Sequence, residues 1–173
     1  MLENGGIHPV PWKGPVLAAT YYSDPPQRPF GDLDFLVKPD EMPLAVEIMT
    51  RNGHVPADRL EPRVLDLFIK AGNAYVSRSA GGDFWVDVSS RPALPFFPLR
   101  VNPAWLPDAL APGEIFGRRI NLLRPEHLFV MLCIHGNFHA WEHLIWLSDL
   151  CALIAPKNRL AADRVMDIAS QPG

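Results

Sequence analysis

The sequence predicts an α+β fold in which short strands and helices are followed by a helical stretch. Three observations point there. Residues 32–37 form an apolar, β-prone run, residues 74–88 carry a hairpin pattern, and beyond Arg124 the apolar residues fall at helical spacing. A chain of 173 residues makes one domain, or one domain with a small appendage. The expected division is a mixed core over residues 1–123 and a helical subdomain over 124–173 packed on it. Hydrophobic residues make up 48% of the chain and charged residues 20%, which is enough apolar material for a real core. The 19 prolines predict rigid loops and short elements.

In chain order, Ile7 to Trp12 is apolar but broken by Pro9 and Pro11, which confines it to a sheet edge or an irregular strand. Lys13-Gly14-Pro15 then opens a helix with proline at its first turn. Val16 to Tyr22 continue it, and Ser23-Asp24-Pro25-Pro26 stops it. A helix start beside a glycine suits a phosphate, with Lys13 adjacent; the plain alternative is a lysine in a loop. After the strand at 32–37, Asp40 is expected to cap a helix from Glu41 to Asn52, which Gly53 ends. Val64 to Ile69 reads as a short helix or a strand. Ala74 to Ser77 and Phe84 to Val88 flank Ala80-Gly81-Gly82, a hairpin signal. Residues 91–114, with Phe96, Phe97 and Trp105, read as a covering loop. Glu114 to Leu123 reads as a strand or a hairpin around Gly117. Arg124-Pro125-Glu126 opens a helix that is apolar nearly all round. A second follows from Trp141 to Ile154, and a third closes the chain from Leu160 to Ala169.

The chemistry concentrates in Arg28-Pro29-Phe30-Gly31-Asp32-Leu33-Asp34. Side chains alternate along a strand, so Asp32 and Asp34 share a face and Leu33 and Phe35 take the other. Two neighbouring carboxylates repel each other and resist desolvation unless a cation compensates. Mg²⁺ does so well, because a hard ion takes carboxylate oxygens and keeps open positions for water and phosphate. The plain alternative is a turn ending in two solvated acids. Asp87 is a third acid inside an otherwise apolar strand, where aspartate is depleted. It is either an exposed residue on a wet face or the partner that such a pair needs.

The net charge of −3 gives no electrostatic footprint for nucleic acid, and no basic run occurs. No apolar run reaches the roughly 18 residues of a membrane span. Cys133 and Cys151 are too few for a disulfide scaffold, so the expected compartment is the cytoplasm. His135, His139 and His143 stand at i, i+4 and i+8, with Asp149 after them. On one unbroken helix they could bind zinc, although Gly136 and Asn137 argue for a break and Trp141 and Trp146 for a packed corner.

The order of blocks resembles the uncharacterised nucleotidyltransferase family of the polymerase-beta-like superfamily. The blocks are Lys13-Gly14-Pro15-Val16-Leu17-Ala18, Tyr22, Arg28 to Pro39, then Leu132-Cys133-Ile134-His135-Gly136, His139, Trp141, Leu144, Trp146 and Asp149. The resemblance implies a mixed-sheet nucleotidyltransferase core followed by helices, in a chain shorter than many relatives and thus a minimal or truncated form. It implies that Asp32, Asp34 and Asp87 are the catalytic and Mg²⁺-binding acids, serving a two-metal site, and that a nucleoside triphosphate is the substrate. Lys13-Gly14 stands where the superfamily places glycine and serine, so Lys13 is expected to meet phosphate as a point charge. Arg28 is expected to neutralise phosphate, Gly31 to let the nucleotide approach, and His135 and His139 to contact substrate. The acceptor is expected to be a small molecule or a protein hydroxyl, with no nucleic acid and no membrane involved. Two alternatives stand beside this: a relative that binds nucleotide or a partner without turnover, and a hydrolase built on a histidine-bound metal.

Overall fold

The computed structural model describes residues 1–79, 81–93 and 106–171. Its centre is a five-stranded mixed sheet of order β1-β2-β5-β4-β3. β1 is Val10–Pro11, β2 Asp32–Leu36, β3 Val55–Pro56, β4 Tyr75–Arg78 and β5 Trp85–Ser89. β2 and β5 run parallel in the middle and the outer pairs are antiparallel. A separate hairpin joins β6 (Leu110–Ile115) to β7 (Arg118–Leu123). The helices are α1 (Pro15–Tyr21), α2 (Met42–Arg51), α3 (Pro62–Lys70), α4 (Pro125–Phe138), α5 (Leu144–Leu153) and α6 (Ala162–Ala169). The α+β class and the mixed sheet are as the sequence predicts.

Alternation along β2 sorts the sheet into two faces. Phe35 and Val37 lie with Val86, Val88 and Tyr75 in a core built on α2, together with Met42, Ala45 and Met49. Leu36 belongs to the opposite core, with Val10, Trp12 and Leu17 and with Leu128, Met131, Leu132 and Leu153 of α4 and α5. Each fully buried leucine there contributes about 1.5–3 kcal/mol of apolar burial. This second core joins residues from both sides of residue 124. Asp32, Asp34 and Asp87 lie on the same face as Leu36, beneath the helices.

β1 is the edge strand expected from its prolines, pairing Val10 with Leu36 and Pro11 with Phe35. α1 starts at Pro15, as proline at a first turn requires. Residues 64–69 are helical, resolving the choice between helix and strand. Several boundaries differ. Asp40 is not a helix cap: a 3-10 turn over Pro39–Glu41 precedes α2, and the Lys38 N–H donates to the Glu41 carboxylate at 3.1 Å. β6 begins at Leu110 rather than Glu114, because Pro112 is tolerated in a two-stranded ladder whose outer edges are unpaired. α5 begins at Leu144, since Ala140 and Trp141 have positive φ and form a left-handed turn ahead of it. Phe96, Phe97 and Trp105 lie outside the described residues.

Candidate active site

The parallel register of β2 and β5 sets Asp34 directly beside Asp87 and Asp32 beside Trp85. Register partners share a face, so the structure brings all three acids to one side of the sheet. Asp32 is exposed at the strand start, and Asp34 is 5% exposed. Burial raises the Asp34 carboxyl from its usual range, opposed by the Lys13 ammonium and assisted by the Asp32 charge. Asp87 is pushed up to about 7, chiefly by burial and then by the Asp34 charge. Its Oδ1 is buried with no hydrogen-bond partner among the described residues.

Lys13 lies against this pair. Its Nζ is 2.5 Å from Asp34 Oδ1 and 4.6 Å from the Trp12 ring centroid. The backbone holds it there: the Trp12 N–H donates to the Asp34 carbonyl at 3.3 Å, and the chain then turns at Gly14 with φ +47°. A Cβ on Gly14 would stand 3.1 Å from the Asp32 carbonyl oxygen, so close approach to β2 requires glycine there. Around Gly31 a Cβ would meet nothing within 4 Å, so no internal packing demands that glycine.

Arg28 is committed elsewhere. Its Nε and Nη2 donate to the two oxygens of Asp149 at 3.1 and 2.8 Å, its Nη1 donates to the Pro29 carbonyl, and the Tyr22 hydroxyl donates to Asp149 Oδ1 at 2.8 Å. Asp149 is wholly buried and Arg28 nearly so. Burial and the Asp149 bond together push the Tyr22 phenol far above its ordinary value. The guanidinium expected to meet phosphate thus ties α5 to the loop before β2, and it reaches Asp34 through its field rather than by contact.

The donors fit a hard divalent cation in kind: they are carboxylate oxygens, one of them buried and without a partner among the described residues. As the side chains stand, no group of three histidine, cysteine or acidic residues among the described residues closes into a metal-holding set. The cation at Asp34 is Lys13.

A family described as uncharacterised nucleotidyltransferase matches residues 1–173. The chain belongs to that family. Among solved structures it is similar to lincosamide antibiotic adenylyltransferase LnuA in its lincomycin-bound form, at 12% identity and a TM-score of 0.53, over 88% of this chain and 89% of that one. An antigenic nucleotidyltransferase-like protein from Paracoccidioides brasiliensis aligns at 15% identity and a TM-score of 0.47, over 88% of this chain and 70% of that one. No curated protein matches. At 12% identity the likeness to LnuA speaks for the fold, and family membership makes the chain a nucleotidyltransferase.

In this nucleotidyltransferase the histidines do not share one helical face. α4 runs through Gly136 and Asn137 and ends at Phe138, so His135 lies within it, His139 just beyond it and His143 just before α5. They gather instead around Trp146, whose ring centroid lies 5.3, 5.2 and 4.9 Å from theirs. His135 also meets the edge of Trp12 at 5.8 Å, which joins this aromatic corner to Lys13. Burial lowers the His135 pKa to about 2, helped by the nearby Lys13 charge, so its imidazole is neutral. Gly136 makes the corner possible, because a Cβ there would enter the Trp141 ring; the Trp141 backbone N–H donates to the Gly136 carbonyl at 2.8 Å. Gly136→Ala is expected to cost about 1–3 kcal/mol, despite the better helix propensity of alanine. Urea unfolding measures this, and an unchanged midpoint would refute it.

Two grooves lie away from the acids. One of about 640 Å³ runs between His8, Pro9 and the β6–β7 hairpin, past Arg119 and Asn121. The other, about 450 Å³ and mainly apolar, lies against Leu33 and Phe35, with Phe84 and Phe116 on its walls. Leu33 and Phe35 are on the opposite face of β2 from the acids. No helix among the described residues is long and apolar enough to cross a membrane.

Proposed function

We propose that this protein transfers a nucleoside monophosphate from a nucleoside triphosphate to a hydroxyl of a small molecule, with Mg²⁺ as cofactor. The observation that carries the reading is the pairing of Asp34 with Asp87, whose buried Oδ1 lacks a partner among the described residues, on the face shared with Asp32. Asp32, Asp34 and Asp87 are the residues to hold Mg²⁺. When bound, the metal supplies charge neutralisation at the α-phosphate and at the departing pyrophosphate. The chain does the rest. Asp32 and Asp34 would hold the ion, and Lys13 would meet a phosphate oxygen as a point charge. Asp87 faces the acceptor hydroxyl, as ligand or as the group that takes its proton. The acceptor oxygen forms a bond to the α-phosphorus while the bond from that phosphorus to pyrophosphate breaks. The open space at Gly31 leaves room for the nucleotide. His135, a neutral imidazole, and His139 would meet the acceptor.

A small acceptor is favoured over a nucleic acid by the net charge of −3. The fold neighbour points the same way, being an adenylyltransferase for a lincosamide antibiotic and bound to lincomycin. A protein hydroxyl remains the alternative acceptor. The test is Mg²⁺-dependent binding of ATP and GTP by calorimetry, followed by pyrophosphate release with a panel of small-molecule acceptors. Asp32→Asn and Asp34→Asn are each expected to abolish metal-dependent binding. Unchanged binding in both variants would rule out the proposal. Binding without pyrophosphate release from any acceptor would favour a nucleotide-binding relative without turnover.

A further inference from the structure

Lys13 is held more firmly than a mobile phosphate-seeking lysine needs to be. Its side chain is 12% exposed and that of Asp34 4%, at a separation of 2.5 Å. The Trp12 ring supports the ammonium from one side. The backbone is anchored before it by the Trp12–Asp34 hydrogen bond and after it by the close passage of Gly14 over Asp32. Yet this ammonium satisfies one carboxylate of three, and Asp87 Oδ1 stays unpartnered among the described residues. A divalent cation bound by Asp34 and Asp87 competes with Lys13 for the same Asp34 oxygens.

We propose that Lys13 is an exchangeable internal counter-ion. It neutralises Asp34 in the metal-free protein, gives Asp34 up when the metal arrives, and moves to the triphosphate that arrives with it. The idea rests on the metal–nucleotide reading above and adds a consequence. A divalent cation arriving alone must displace Lys13 from a buried anion and leave it without a partner. With a triphosphate present, the displaced ammonium gains phosphate oxygens. Metal and nucleotide therefore favour each other through Lys13, beyond the contact they make directly, and the coupling is reciprocal.

The experiment uses Mn²⁺ as the probe ion, its binding followed by electron paramagnetic resonance, with and without a non-hydrolysable ATP analogue. Wild type is compared with Lys13→Met, which keeps the apolar stem against Trp12 and removes the charge. Lys13→Met is expected to bind Mn²⁺ alone about tenfold more tightly than wild type. The enhancement of Mn²⁺ affinity by the analogue is expected to be smaller in the variant by about the same factor. Lys13→Gln, which keeps a neutral hydrogen-bond donor, serves if the methionine variant does not fold. Equal Mn²⁺ affinity in wild type and variant, with Mn²⁺ and analogue still binding together, would overturn the counter-ion role and leave the proposed function standing. Mn²⁺ and analogue binding that is uncoupled in wild type and indifferent to Asp34→Asn would overturn both.

Discussion

Asp87→Asn is expected to stabilise the metal-free protein at pH 8 while lowering nucleotidyl transfer by about 10²–10⁴-fold. The two effects share a cause. The Asp87 carboxyl is pushed from its ordinary 3.8 to about 7 by burial and by Asp34. A carboxyl raised in the folded state holds a proton that the unfolded chain has already released. Its favourable contribution is complete below about pH 4, declines as pH rises, and is gone above about pH 7. Asparagine has no such proton to lose. Asp34 and Asp87 titrate as a pair, so the difference at pH 8 is on the order of 2–4 kcal/mol, or roughly 5–15 °C in Tm. At pH 4 the variant and wild type should melt together. Saturating Mg²⁺ should reverse the order at pH 8, because the ion stabilises only the protein that binds it. Thermal melts at both pH values, with EDTA and with Mg²⁺, provide the check. A variant that parallels wild type across the range would show that Asp87 carries no buried charge.

Asp149→Ala is expected to be the most damaging substitution for stability, at about 3–5 kcal/mol. The carboxylate of Asp149 accepts both arms of Arg28 and the Tyr22 hydroxyl in a fully buried setting, so its removal leaves a guanidinium uncompensated. The size of the loss is a cost of the leftover charge rather than the strength of the pair. Replacing both members, as Arg28→Met with Asp149→Leu, should therefore recover most of the stability. Tyr22→Phe should cost only about 1 kcal/mol, one hydrogen bond to a charged group that keeps its other partners. Urea unfolding of the single variants and the double variant decides this. A double variant no better than Asp149→Ala would mean that the tie is specific in shape and not only in charge.

The parts of the site legible in the sequence were those set by local periodicity. Asp32 and Asp34 share a face because side chains alternate on a strand, and Gly81-Gly82 marks the turn that returns the chain towards β5, Ala80 lying outside the described residues. Composition singled out Asp87, since aspartate in an apolar strand calls for an explanation. The sequence could not show that β5 pairs in parallel with β2, because that contact closes over some fifty intervening residues and depends on tertiary packing. For the same reason the sequence cannot show the tie between Arg28 and Asp149. The partner of Arg28 is more than a hundred positions away, and nothing local distinguishes a guanidinium that meets Asp149 from one that meets a nucleotide. Tyr22, Arg28 and Asp149 all stood in the blocks that carried the family resemblance, and that grouping was the available signal of their joint tie. The histidine spacing implies one face only on a continuous helix; the packed corner that Trp141 and Trp146 argue for is there, but the break falls at Ala140 and Trp141, which turn the chain left-handed, and not at Gly136 and Asn137.

The parallel alignment of β2 with β5 has a consequence for anyone who would redesign this protein. The same alignment that sets Asp34 beside Asp87 also sets Phe35 beside Val88 and Leu33 beside Val86. Sliding one strand by a single residue would turn the acids into the greasy side and the valines out of it. The spacing of Asp34 and Asp87 is thus inherited from the fit of aliphatic side chains on the far side of the sheet. Changing the bulk of Val86 or Val88 offers a way to shift Asp87 against Asp34, and with it the proposed cation affinity, without touching a charged residue, and a library confined to that hydrophobic layer would explore the opposite face.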